Sequence, residues 1–237
     1  MRPLILCLTS ALALAVVSLP AHAQQAAGQS RAAAQAMPPA LQAAVLSGNS
    51  AAIQRAITTL SQGNPAAMAS LAGQVMTAAE GMVATNPTAA AAAAASASTI
   101  AAQPAVIAAA PQSALSLVVS ANRIAINPVV QQVAPAVSAA ISVSATQVAS
   151  NPQVFQVAPT AALQVMSDAY NSVSSPAIAA AAPNAVQSVT ASLTQASANP
   201  QIAAAMAESG QVITAILTKQ PLPASVQDSI VARGTAS

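Results

Sequence analysis

The sequence predicts an all-α fold, an alanine-rich, α-solenoid-like stack of 24-residue helical repeats, each unit being a short helix plus a longer one or a single proline-kinked helix. Three observations predict it. Prolines 104, 128, 152, 176 and 200 hold one register and prolines 111, 135, 159 and 183 a second, with Ala207 where a fifth would fall. Asn-Pro recurs at Asn64, Asn86, Asn127, Asn151 and Asn199. That dipeptide marks a helix start: asparagine caps a backbone N–H, and proline at the first helical position forfeits a donor that has no partner anyway. Side-chain character also repeats. Counted from the first proline of each unit, position 3 is Val106, Val130, Val154, Ile178 and Ile202, and position 14 is Leu117, Ile141, Val165, Val189 and Ile213. Position 20 is Arg123, Gln147, Asn171, Gln195 and Lys219, polar every time. A constant apolar column and a constant polar one are an inside and an outside.

In chain order, residues 1–23 are expected to be a secretory signal peptide cleaved after Ala23. Arg2 precedes an apolar run from Leu4 to Val17, then Pro20 and the small-x-small site Ala21-His22-Ala23. The run is shorter than the ~20 residues a spanning helix needs, which weighs against an uncleaved anchor. Residues 24–37 read as a flexible tail, since QQAAGQSRAAAQAM has no long apolar side chain before Met37.

Residues 38–86 form the predicted N-terminal helical cap. Leu41, Val45 and Leu46 make one apolar stripe, and Ile53, Ile57 and Leu60 a second. Gly48 between them suits a left-handed helix closure, and Asn49 or Ser50 caps the next helix. A third helix starts at Asn64-Pro65 and carries Met68, Leu71, Val75 and Met76.

Residues 87–220 hold the repeats. Alanine precedes every second proline (Ala110, Ala134, Ala158, Ala182), and alanine is a poor cap. The residue before proline is also pushed out of helical geometry. A short helix followed by a long one is therefore the preferred reading, a kink at the second proline the other. In TAAAAAAASASTIAAQ alanine stands where later units have larger side chains, so the helix is secure and its packing thin. Residues 221–237 read as a C-terminal tail or short helix, which with the N-terminal pair would cap the stack.

Composition restricts the chemistry. Beyond the signal segment the chain has no cysteine or histidine, five basic residues (Arg31, Arg55, Arg123, Lys219, Arg233) and four acids (Glu80, Asp168, Glu208, Asp228). Usual metal-ligand sets and nucleophile–base pairs are missing, no spacing brings two carboxylates together, and the glycines form no phosphate loop. The sequence thus nominates no catalytic, cofactor-binding or metal-ligating residue, and the chain reads as no enzyme. Five scattered cations without an aromatic platform argue against nucleic acid. Phe155 and Tyr170, with Asp168 nearby, invite a binding spot; the plainer reading has Phe155 filling a gap and Tyr170 at a helix rim with a wet hydroxyl. The long uncharged runs are broken by prolines and rich in Ala, Ser, Thr, Gln and Asn, which transfer poorly into hydrocarbon. A membrane surface stays open as a partner, although the basic amphipathic face that would favour it is missing.

The architecture resembles the α-solenoid class, such as HEAT-like stacks, without the tetratricopeptide pattern of Trp, Gly, Tyr and Pro. Position 19 (Asn122, Thr146, Tyr170, Thr194, Thr218) is too mixed for the threonine rows of an ice-binding surface. The expectation is an exported, non-enzymatic helical repeat protein, periplasmic or secreted. It would be a binding scaffold for an unidentified protein or a structural component of the envelope, with no small-molecule substrate indicated. The alternative is a lipid-associated or self-assembling surface protein, since a near-neutral surface repels little.

Overall fold

The protein is described by a computed structural model, in which residues 37–220 are placed. The expected signal peptide, almost all of the expected N-terminal tail and the expected C-terminal segment lie outside the described residues. Every regular element among the described residues is helical. The first three are α1 (Pro39–Leu46), α2 (Ser50–Ser61) and α3 (Pro65–Met82). Long and short helices then alternate: α4 (Pro87–Ala101), α5 (Pro104–Ala109), α6 (Pro111–Ala125), α7 (Pro128–Val133), α8 (Pro135–Ala149), α9 (Pro152–Val157), α10 (Pro159–Val173), α11 (Pro176–Ala181), α12 (Pro183–Ser197), α13 (Pro200–Ala205) and α14 (Ser209–Leu217).

The caps explain where the helices begin. Oδ1 of Asn64 accepts N–H donors from Ala66 and Ala67, and the Oδ1 atoms of Asn127, Asn151 and Asn199 each accept one from the second residue onward, at 2.9–3.0 Å. The alanines before the second prolines give no side-chain cap, and each leaves helical geometry: Ala110 (φ −149°, ψ 63°), Ala134 (−143°, 54°), Ala158 (−152°, 77°) and Ala182 (−145°, 68°). The second proline therefore breaks the chain into a six-residue and a fifteen-residue helix, and no kinked helix spans the pair.

Packing departs from a simple neighbour-on-neighbour stack. Each long helix meets the next long helix and also the one after it, so they fall into two rows: α3, α6, α10 and α14 in one, α2, α4, α8 and α12 in the other. The short helices lead between them. α5 leaves α4 and packs on α3 and α6, while α7 leaves α6 and packs on α4 and α8. One long-range hydrogen bond ties each row. Ser96 Oγ on α4 donates to the Ser50 carbonyl on α2 (3.2 Å), and the Tyr170 hydroxyl on α10 donates to the Leu217 carbonyl on α14 (3.1 Å).

A helix pressed on several sides needs a broad apolar surface and small side chains. α6 buries Ala114, Leu115, Leu117, Val118, Ala121, Ile124 and Ala125, far more than a single stripe. α4 lies between α2, α3, α6 and α8 and buries almost nothing but methyl groups and hydroxyls, from Ala89 to Ala101, with Ile100 the one large side chain. Small side chains let backbones approach: the Gly48 backbone closes α1 at φ +64°, and a Cβ there would lie 3.3 Å from Ala89 Cα.

This last contact yields a paired prediction. Gly63 shares the left-handed conformation (φ +76°) but faces open space. Gly63→Ala should cost the backbone penalty alone, ~1–2 kcal/mol. Gly48→Ala should cost more, because the new methyl also pushes against α4. Urea denaturation of the two variants compares them directly, and equal losses would remove the close approach as a cause.

Candidate functional site

The described charges are few and unevenly placed. In the second row, α4, α8 and α12 carry none, and Arg55 on α2 is the exception. In the first row, Glu80 lies on α3, Arg123 on α6 and Asp168 on α10, with Lys219 just beyond α14. Glu80 and Arg123 line one cleft of about 300 Å³ together with Val83, Ile124 and Asn127. Arg123 and Asp168 line another, of about 260 Å³, between α6 and α10. Arg123 thus stands between two carboxylates that the sequence left apart.

The α6–α10 cleft is the better defined. Its walls are Val119, Ile126, Ala161 and Val165; its polar groups are Asn122, Arg123, Gln164 and Asp168. Asn122 is 3% exposed, and its Oδ1 meets no donor. A buried acceptor without a partner is costly and rare, so it calls for an explanation. Burial raises the Asp168 carboxyl above its ordinary value of 3.8, with no counter-charge close enough to lower it again. Among the helices packed on α10 (α6, α8, α9, α11, α12 and α14), Arg123 on α6 is the only charged side chain. Unpaired polar groups converging on a cleft, one of them perturbed by burial, are what a binding site presents.

No family model, curated protein or solved structure matches the chain.

The aromatic pair resolves differently from the binding spot the sequence invited. Phe155 is fully buried in the core. Tyr170 is half-buried, and its hydroxyl donates a hydrogen bond to the Leu217 carbonyl. Of that trio only Asp168 faces a cleft. A further groove of about 300 Å³ runs between α3 and α6, lined by small groups such as Gly73, Ser113, Ser116 and Ser120, with Glu80 at its edge. Among the described residues no group of three or more His, Cys, Asp or Glu is placed to hold a metal ion, and no helix is long and apolar enough to cross a membrane.

The sign of the Asp168 perturbation gives a stability prediction. Its carboxyl titrates higher in the folded chain than in the unfolded one, so folding is favoured when it is protonated. That contribution is complete below 3.8 and is lost as pH rises through the folded value, leaving an ionised group that burial penalises at neutral pH. Asp168→Asn should therefore melt slightly higher than the parent at neutral pH, and the difference should vanish on the acid side of 3.8. Thermal melts followed by circular dichroism across that range decide it. A variant less stable at neutral pH would mean that the carboxylate has a favourable partner.

Proposed function

We propose that the chain is an exported, non-enzymatic helical repeat protein, built of alanine-rich 24-residue units behind a cleaved signal peptide and acting as a binding scaffold in the periplasm or outside the cell. The observation that carries this reading is the repeating two-row packing, with its few charges gathered on one row. A stack of this kind presents an extended surface that needs no catalytic group, and repeat architectures use such surfaces to hold partners. The second row, uncharged beyond Arg55, would serve assembly within the envelope, and the first row recognition.

The alternative, lipid association or self-assembly, is favoured by one feature. Val129 and Val133, a helical turn apart on α7, are each 50% exposed. Purified residues 24–237 decide between the two. A discrete monomer by light scattering that stays below liposomes in a flotation gradient supports the scaffold. Flotation with the vesicles, or steady growth in particle size, supports the alternative.

A further inference from the structure

The α6–α10 cleft combines features that a passive surface has no use for. Its charged side chains are of opposite sign, Arg123 from one helix and Asp168 from the other, yet they form no salt bridge. Asn122, almost wholly buried beside Arg123, offers an acceptor that nothing in the protein uses. Apart from the exposed Gln164 the remaining wall is aliphatic, with Val119, Ala161, Val165 and the exposed Ile126. At about 260 Å³ the space falls below the ~300–1,000 Å³ of sites for drug-sized ligands, so its occupant is small.

We propose that this cleft binds a free α-amino acid with an aliphatic side chain. The carboxylate of such a zwitterion is recognised by the Arg123 guanidinium, whose fork of N–H donors suits a carboxylate. Its ammonium group is held by the Asp168 carboxylate. The side chain lies along Val119, Ile126 and Val165. A ligand with a carboxylate alone would leave the half-buried Asp168 uncompensated, and one with an ammonium alone would make no use of the exposed Arg123, which is what makes the zwitterion the better occupant. The proposal deepens the scaffold reading and rests on the chain being a binding protein.

Calorimetry of the whole mature chain with leucine, N-acetylleucine and leucinamide tests it. Leucine should bind, and each blocked derivative should bind at least about tenfold more weakly, since a site built to pair a group rejects the analogue that lacks it. Arg123→Gln should weaken leucine to a similar degree while leaving leucinamide unchanged, because that probe has no carboxylate to lose. Asp168→Asn should weaken leucine and leave N-acetylleucine unchanged. Circular dichroism confirms that each variant is folded. Equal affinity for all three probes, or no leucine binding by the folded wild-type chain, would overturn the proposal. So would an Arg123–Asp168 salt bridge seen by NMR in the ligand-free protein. None of these outcomes bears on whether the chain is monomeric or floats with lipid, so the two readings fail separately.

Discussion

Excision of residues 128–139, half a unit, should abolish cooperative thermal unfolding, whereas excision of 128–175, two whole units, should leave a shorter all-helical protein with a sharp transition. The half-unit contains all of α7 and the first turn of α8. Without α7 the chain has no path from α6 in the first row to α8 in the second, and every later helix would meet its neighbours with the wrong face. Removing two units keeps each later helix in its own row. Removing one, 128–151, is the informative intermediate: fold and cooperativity should survive, because each unit carries its own caps and seams, but each later helix changes rows. Phe155 would then occupy the row in which the equivalent places hold Gln131 and Ala179, both half-buried, so the melting temperature should fall. Near-additive stability of stacked units is the reason for expecting this order. Circular dichroism melts of the three deletions decide it. A half-unit deletion that melts like the parent would contradict the two-row arrangement, and an unfolded two-unit deletion would contradict the independence of the units.

The limits of the sequence follow from the same geometry. Helix starts were legible because they are local: asparagine and proline act on the next turn, and their effect needs no knowledge of the neighbours. The break before each second proline was legible for the same reason, although the sequence left a kink open, and Ala110, Ala134, Ala158 and Ala182 decide it by leaving helical angles. The two rows were not, because reading every unit alike averages over an alternation that only packing reveals. One signal was present. Glu80, Arg123 and Asp168 succeed one another at intervals close to two units, which superposes them on one row. Position 4 carries the same alternation, with Ile107 and Phe155 buried on one side and Gln131 and Ala179 half-buried on the other. The cleft escaped sequence reasoning because Asn122 stands in a mixed column, and its burial beside α10 depends on helices distant in the chain. Tyr170 reads as solvated in the sequence for the same reason, since the Leu217 carbonyl that its hydroxyl meets is 47 residues away in the chain.

Truncation of Phe155 to alanine should be among the most damaging single changes available to the fold. Its ring is wholly buried on α9, a helix of six residues that packs on α5, α6, α8, α10 and α13. It is the one aromatic ring in the described core, where much of the rest is alanine and valine. Such a core collapses poorly around a cavity, because short side chains have no rotamers with which to refill it. The expected loss is ~3–5 kcal/mol. In a chain of this size each kcal/mol lowers the melting temperature by about 2–4 °C, so the shift is large and easily measured. Tyr170→Phe is the matched control, removing only the hydrogen bond to Leu217, for ~0.5–1.5 kcal/mol. If the two variants lost the same stability, Phe155 would not be the anchor that holds α9 against α6 and α10.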